Sequence, residues 1–565
     1  MNRISAAAFK HTSLSMARKR FAKEENGAVL VFSLVLFVLM VMIGGVAVDL
    51  MRYETTRTTL QNTLDRSTLA AASLSQSLAP EAVVRDYFAK AGLTEYLTSV
   101  NVAEGLNFRE VKANALADTK PFFLHMIGIN RLDAPGRSTA EQRISNVEVM
   151  LVLDVSGSMA GTKMTNLKSA AAEFVDTVLT SDGENRISIG LVPYNGQVNL
   201  GPTMAAKYNI PIPQVVADTA CVDLPSSVYS TTQMSRTLDL PRTAYADTFS
   251  TTSQSTSYVA TSSGVPAAGN RWCPPSTVNI VRPPINNIAT LQGYINNLVA
   301  IGATSTNAGL KWGLALLDPA SRPIFAELAG SGVIPSVFNV RPFDYTDTDA
   351  LKVIVLMTDG DHFAEERVNT AFKTGNSWIY RGTDGNNSIR HITGRPAAAG
   401  TNEYFVPHLC TSTACMDGSN TSTAWRSTPW SSGVQQTWPQ VWTNMRLSYV
   451  AWQMYARALG TTSGTRTSTY NTWMANFRAL TATTAMDTQL QSICSLAKAQ
   501  QNVVIYGIAF DAPANGQLQI RMCTSGYDPA APNNANPFYF VSTPTNIRTA
   551  FRAIATNISQ LRLTQ

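Results

Sequence analysis

The chain has 565 residues, 45% of them apolar and 15% charged, the balance of a globular protein long enough for more than one domain rather than of a disordered one. Its formal net charge is +6, and with no Lys/Arg cluster beyond the first 25 residues, nucleic acid is not an expected partner. Six cysteines with no CxxC or Cys/His spacing give no support to a zinc site.

The first element follows a basic tail, 1–25. It is the uncharged run from Asn26 to Val48, whose core reads AVLVFSLVLFVLMVMIGGVAV. About 20 apolar residues at ~1.5 Å each span a hydrocarbon layer of roughly 30 Å, so 26–50 is predicted to be a transmembrane helix. A cleaved signal peptide, cut near GVA at 45–47, fits less well, because such apolar regions are usually about 7–15 residues long. Arg3, Lys10, Arg18, Lys19, Arg20 and Lys23 precede the helix. Behind it, Arg52, Arg57 and Arg66 are balanced by Asp49, Glu54 and Asp65. The expected topology is a single pass through the inner membrane, with the N-terminus cytoplasmic and the large remainder periplasmic or extracellular. Cys221, Cys273, Cys410, Cys415, Cys494 and Cys523 then all face an oxidising compartment, where nearest-neighbour disulfides are the simplest pairing.

Beyond the membrane run, Leu60, Leu64, Ala71, Leu74 and Leu78 recur near helical spacing, and no proline follows until Pro80. The helix is expected to continue outward as one rod. EAVVRDYFAKAGL reads as a second helix, and 98–145 as short strands packed against the rod. Together 51–145 form a small α+β segment.

From Val147 the pattern changes. VEVMLVLD, RISIGLVPY, LKVIVLMTDGD and NVVIYGIAF are continuous apolar strands. MTNLKSAAAEFVDTVLTS, NNIATLQGYINNLVA, TNAGLKWGLALL and TPTNIRTAFRAIATNISQLRL are helices between or after them. Continuous strands joined by helices predict an α/β domain over 147–565 with a mainly parallel sheet covered on both faces. Two long insertions interrupt it, at about 203–283 and 362–480. Counted from Trp425, past Trp378, the second holds Trp425, Trp430, Trp438, Trp442, Trp452 and Trp473, six of the nine tryptophans. These are expected to form the core of a subdomain poor in aliphatic residues.

In an open parallel sheet, ligands bind beyond the carboxyl ends of the strands. Three such places carry oxygen ligands: Asp154, Ser156 and Ser158 in LDVSGSM, Thr304 in GATSTNAGL, and Asp359 in LMTDGD. Hydroxyls and carboxylates without His or Cys describe a hard-cation site, and neutral hydroxyls leave much of the metal's charge for a carboxylate from elsewhere. Taken singly, the serines could cap a helix and TDG could be a turn. A nucleophile reading lacks the Gly-x-Ser-x-Gly elbow and a nearby histidine base. His362, after the turn, is expected to be exposed, and no Lys or Arg in these loops is obviously placed to act on a phosphate.

DVSGS, GATST and TDG, in this order, resemble the three loops of the metal-ion-dependent adhesion site of von Willebrand factor type A domains. The resemblance implies a doubly wound α/β fold. It also implies that Ser156 and Ser158 coordinate Mg²⁺, or another divalent cation such as Mn²⁺, directly, with Thr304 from the second loop and Asp154 and Asp359 acting directly or through water. ENGAVLVFSLVLFVLMVMIGGVAVDLMRYETTRTTLQNTLDRSTLAAAS is similar to the N-terminal region of TadE/TadG-like proteins of tight-adherence (Flp) pilus assembly. Phe32, rather than a glutamate, stands five residues after Gly27, so a retained anchor is expected. The combination implies a TadG-like, non-enzymatic binding protein for pilus assembly or surface adhesion, whose metal captures an acidic residue of a pilus or secretion component. A metal-dependent hydrolase or processing factor of the cell envelope is the alternative.

Overall fold

The computed structural model describes residues 19, 26–73, 76–104, 108–143, 146–180, 182, 185–247, 270–410 and 424–559. The basic tail apart from Lys19, as well as Leu74 and Cys415, lies outside these. The chain divides into two compact units, Met1–Arg143 and Ile144–Gln565.

In the first unit, helix α1 runs unbroken over Asn26–Ala72, since no Gly or Pro interrupts 49–72. Its threonines return their hydroxyls to carbonyls one turn back, as in Thr55 to Met51 at 2.8 Å and Thr59 to Thr55 at 2.8 Å, so that these hydroxyls are satisfied within the helix. Every large apolar side chain from Val29 to Val41 is exposed. A helix apolar all round and uncovered is a membrane-crossing segment by composition, and among the described residues it is the one helix long and apolar enough to cross.

Helix α2 (Pro80–Lys90) and strands β1 (Leu97–Glu104), β2 (Phe108–Thr119) and β3 (Leu132–Arg143) complete the unit. The strands form an antiparallel sheet in sequence order. Alternate residues of β2, Val111, Ala113, Ala115 and Ala117, face a core shared with Leu60, Leu64, Val84 and Phe88. The small side chains let sheet and rod approach closely. A Cβ on Gly136 of β3 would stand 2.6 Å from Leu64.

The second unit opens with β4 (Asn146–Asp154), α3 (Thr162–Thr180) and β5 (Ile187–Tyr194). Next come β6 (Arg282–Ile285), α4 (Ile288–Asn296), α5 (Thr306–Leu317), α6 (Arg322–Gly330) and β7 (Ala350–Thr358). The second insertion contributes β8 (Glu365–Val368), β9 (Asn376–Arg381), β10 (Asn387–Arg390), β11 (Tyr404–Phe405), β12 (Trp425–Arg426), β13 (Val434–Thr437), α7 (Trp438–Asn444), α8 (Ser463–Phe477) and β14 (Arg478–Thr481). The chain then returns through α9 (Thr483–Lys498), β15 (Val503–Phe510), α10 (Ala514–Cys523), β16 (Tyr539–Ser542) and α11 (Ile547–Ser559).

The central sheet has the order β16-β15-β7-β4-β5-β6. All its pairings are parallel except β5 with β6. That antiparallel edge is Arg-Pro-Pro-Ile, at the end of the first insertion. Two prolines suit an edge strand because they have no N–H to give to a further neighbour. β4, β5 and β7 are buried along almost their whole length, as continuous apolar runs require. Every residue of α5 is buried as well. One reason is that the first insertion covers it: Lys311 of α5 donates to the carbonyls of Thr231 at 2.6 Å and Gln233 at 2.8 Å.

The first insertion is held by isolated bridges and the disulfide Cys221–Cys273. The second builds a five-stranded antiparallel sheet, β12-β11-β10-β9-β13. Its core contains Trp425, Trp438, Trp442 and Trp452, with Trp473 partly buried against it. Trp438 and Trp442 stack at 5.2 Å. Cys494 pairs with Cys523, and Cys410 is also disulfide-bonded.

Candidate metal centre

The central sheet reverses its winding at β4, since β5 follows on one side and β7 on the other. Loops leaving the carboxyl ends of β4 and β7 therefore diverge and leave a crevice between them. Asp154 is the last residue of β4 and is wholly buried. One of its oxygens accepts the Ser156 N–H at 2.8 Å and the other accepts the hydroxyl of Thr358, the last residue of β7, at 2.7 Å. Burial, then the charge of Asp359, pushes the Asp154 carboxyl up to about 7, because desolvation and a like charge both disfavour the ionised form.

From there a chain of polar contacts runs outward. The hydroxyls of Ser156 and Ser158 lie 3.0 Å apart, and Ser158 donates to Asp359 Oδ1 at 2.7 Å. Lys163 Nζ donates to Asp359 Oδ2 at 2.8 Å and lies 3.3 Å from Asp511. Burial opposes the charge on Lys163, but Asp359 and then Asp511 outweigh it and hold the ammonium above its ordinary value. Ser156 makes no side-chain cap to the helical turn that follows it, so its hydroxyl is not committed to capping.

Backbone contacts fix the second loop against the other two. Gly157 N–H donates to the Gly302 carbonyl at 2.9 Å, and Phe363 N–H to the Thr304 carbonyl at 2.9 Å. Gly302 has φ +88°, the left-handed region that a side chain would disfavour. The Thr304 hydroxyl lies 4.0 Å from where a Cβ on Gly360 would stand and has no hydrogen-bond partner among the described residues. The structure thus brings Asp154, Ser156, Ser158, Thr304 and Asp359 to the carboxyl-end side of one sheet, with Asp154 joined to the others through the backbone and hydroxyl of Ser156 and through its charge against Asp359.

Three participants carry no assigned role in the motif reading, although Thr358 stands first in TDG. Thr358 orients Asp154. Lys163 is the cation not expected near these loops; it sits five residues past Ser158 at the start of α3, one turn from where its role could have been suspected. His362 is buried, not exposed: Nδ1 lies 2.7 Å from Asp487 Oδ1, and Nε2 accepts the Asn307 N–H at 3.2 Å. The acceptor role of Nε2 puts the ring proton on Nδ1, facing the carboxylate. His362 therefore holds the first turn of α5, and with it Thr304, against the third loop.

Among the described residues no group of three His, Cys, Asp or Glu side chains is gathered as a metal cage. A cation here would rest on hydroxyls with one or two carboxylates, the donor set of a hard divalent ion that keeps some of its water. The residues fit such an ion, provided the Lys163 ammonium yields its place on Asp359.

No curated protein matches this chain. Several solved structures do. They include the vWF domain of the type V pili tip protein Mfa5 from Porphyromonas gingivalis, at 15% identity over 75% of this chain and 98% of that one, with TM-score 0.29. The PilB minor pilin from Streptococcus sanguinis matches at 12% identity over 82% and 78% of the two chains, with TM-score 0.30. For the pilus adhesin SpaC from Lactobacillus rhamnosus GG the figures are 10%, 82% and 34%, with TM-score 0.26, so this chain spans about a third of that protein. At such scores these are neighbours and carry no weight for the site. The apolar helix and the rod that continues it are more telling: residues 27–74 match the family model described as "Putative Flp pilus-assembly TadE/G-like", and the chain carries a TadE/G-like segment of Flp pilus assembly at its N-terminal end.

Proposed function

We propose that this chain is a membrane-anchored, envelope-facing binding protein of pilus assembly or surface adhesion, whose second unit is a doubly wound domain of the von Willebrand factor A kind with a cation-dependent capture site. The observation that carries the reading is the convergence of Ser156, Ser158, Thr304 and Asp359, from three loops far apart in sequence, at the winding reversal of one parallel sheet. Hydroxyls at a strand end, not engaged in capping and open to solvent at Ser158, suit a ligand shell more than a structural turn.

When bound, Mg²⁺ or Mn²⁺ supplies a positive centre with a free position for a carboxylate. Ser156 and Ser158 hold it through neutral oxygens, Thr304 closes the second side, and Asp359 contributes charge. Asp154, kept in place by Thr358 and the Ser156 N–H, orients the first loop from below. An acidic side chain of a pilus or secretion component is the partner this chemistry selects. The anchor implies a single pass through the inner membrane with the second unit outside the cytoplasm.

The test uses the full chain in lipid nanodiscs, with Mn²⁺ binding read by electron paramagnetic resonance and capture of pilus components read with and without chelator. Asp154→Ala and chelation should each abolish divalent-dependent capture. If both leave capture and pilus production unchanged, the reading fails.

A further inference from the structure

The N-terminal unit holds an apolar loop of which Leu124 is buried while most of the other large apolar side chains stay outside the core. Residues 121–129 read Pro-Phe-Phe-Leu-His-Met-Ile-Gly-Ile. Phe122 and Met126 are 67% and 68% exposed, and Ile127 and Ile129 are also open. Four exposed apolar side chains on so short a loop make a patch that a water-facing tip would not favour.

The loop is tied to one level of α1. Asp49 accepts the N–H groups of Phe122, Phe123 and Leu124 at 2.9, 2.7 and 2.8 Å. The Phe123 ring lies on Gly45, where a Cβ would stand 2.3 Å from its Cγ, so only glycine admits it. The Arg52 guanidinium sits 4.1 Å over the Phe122 ring. Gly45 belongs to the uncharged run and Asp49 is the first charge after it, one helical turn or about 6 Å further on. On the open side of α1 at this level, Val48, Leu50 and Met51 are exposed too. Helix and loop together therefore present one apolar belt where the helix leaves the hydrocarbon.

We propose that loop 121–129 is a second membrane contact, seated in the lipid headgroup layer beside the exit of α1. Continuity with the membrane-crossing helix selects a bilayer rather than a protein as the occupant. An aromatic ring under an arginine is the side-chain combination that interfaces favour. Asp49 solves the backbone problem of such a seat. The first N–H groups of a helical turn lack partners within the turn, and near hydrocarbon water cannot supply them; one carboxylate takes three. The loop would thus fix the tilt and rotation of the rod as it leaves the membrane.

The test places an environment-sensitive fluorophore on Met126→Cys, and separately on Ile127→Cys, in the full chain reconstituted into phosphatidylcholine/phosphatidylglycerol vesicles doped with lipid carrying a nitroxide near its headgroup. No free cysteine competes among the described residues. Phe37→Cys reports the helix. Glu104→Cys reports the far end of the unit, where Arg109 bridges Glu104 and the Ser73 carbonyl, roughly 35 Å from Asp49 along a helix rising ~1.5 Å per residue. Emission at 126 or 127 should fall by about half or more, the response of a site within roughly 5–10 Å of the headgroup boundary, while that at 104 stays unchanged. No quenching at either loop position, or equal quenching at 104, overturns the proposal. Neither cation nor pilus component is present, so this outcome is independent of the capture site.

Discussion

Asp49 and Asp359 both follow an apolar run that ends abruptly, one within the long N-terminal helix and the other at the end of a buried strand. Their surroundings differ in kind. Asp49 accepts three backbone N–H groups, donors fixed by the chain itself. Asp359 is held by a serine hydroxyl that can rotate and by a lysine on a flexible stem. The first carboxylate is finished by its fold; the second has partners it can exchange without breaking a backbone hydrogen bond. A structural carboxylate and one proposed to hold a cation differ here in who their donors are, more than in burial, since both are nearly inaccessible.

The sharpest way to break this contrast is to remove each carboxylate in turn. Asp359→Ala takes away the charge that would hold a divalent ion, and affinity for Mn²⁺ should fall on the order of 100-fold or more, about 3 kcal/mol. The fold should persist, because α3 and β7 keep their cores. Circular dichroism together with Mn²⁺ titration checks both halves, and unchanged affinity would remove Asp359 from the site.

Asp49→Ala should act in the opposite sense. Cation affinity stays as it was, while three amides lose the charge-assisted acceptor that holds them. Hydrogen exchange at Phe122, Phe123 and Leu124 should accelerate, by about 100-fold. Amides that remain protected would mean that the loop is held by Phe123 on Gly45 alone.

His391 extends the comparison to the second insertion. It is buried against Trp425 and Tyr455 and donates from Nε2 to the Met454 carbonyl at 2.9 Å. Burial drives it down to about 4. Like Asp49 it is finished, so it should answer to pH and not to cations. The unfolded chain takes up a proton near pH 6.5 and the folded one only near 4. Stability is therefore full above pH 6.5 and declines as pH falls towards 4, by up to about 3 kcal/mol. Urea unfolding followed by tryptophan fluorescence should show that slope in the native chain and a flatter one in His391→Gln; equal slopes would assign the acid response elsewhere.

The parts that could be read in the sequence share a cause with the parts that could not. β4, β5, β7 and β15 are legible because burial on both faces demands unbroken apolar runs. The edge strand Arg282–Ile285 and the two- to six-residue strands of the second insertion carry too little period to stand out from loop. Its tryptophans betray a core but not a sheet. Asp154, Ser156, Ser158, Thr304 and Asp359 stand in short motifs whose local spacing is informative. The roles of Thr358, although it stands in TDG, and of His362 and Lys163 come from partners in other loops: Lys163 meets Asp359 at a sequence distance of 196 and His362 meets Asp487 at 125. No local pattern marks such pairs, and a lysine at the start of a helix reads as an ordinary surface charge.

Lys163 gives the smallest effect and the finest discrimination. Its ammonium and the proposed divalent ion would draw on the same carboxylate, and Asp359 is fully covered at its side chain while Lys163 is 22% exposed, so the lysine is the partner free to swing away. Lys163→Met keeps the length of the stem and removes the competitor. Cation affinity should rise about three- to tenfold, the free energy of a partly exposed ion pair at roughly 1 kcal/mol, and its salt dependence should weaken because one screened interaction is gone. Calorimetric titration with Mg²⁺ at two ionic strengths measures both. A fall in affinity would show instead that Lys163 positions Asp359 for the cation, and the contrast with Asp49 would then narrow to the serine hydroxyls alone.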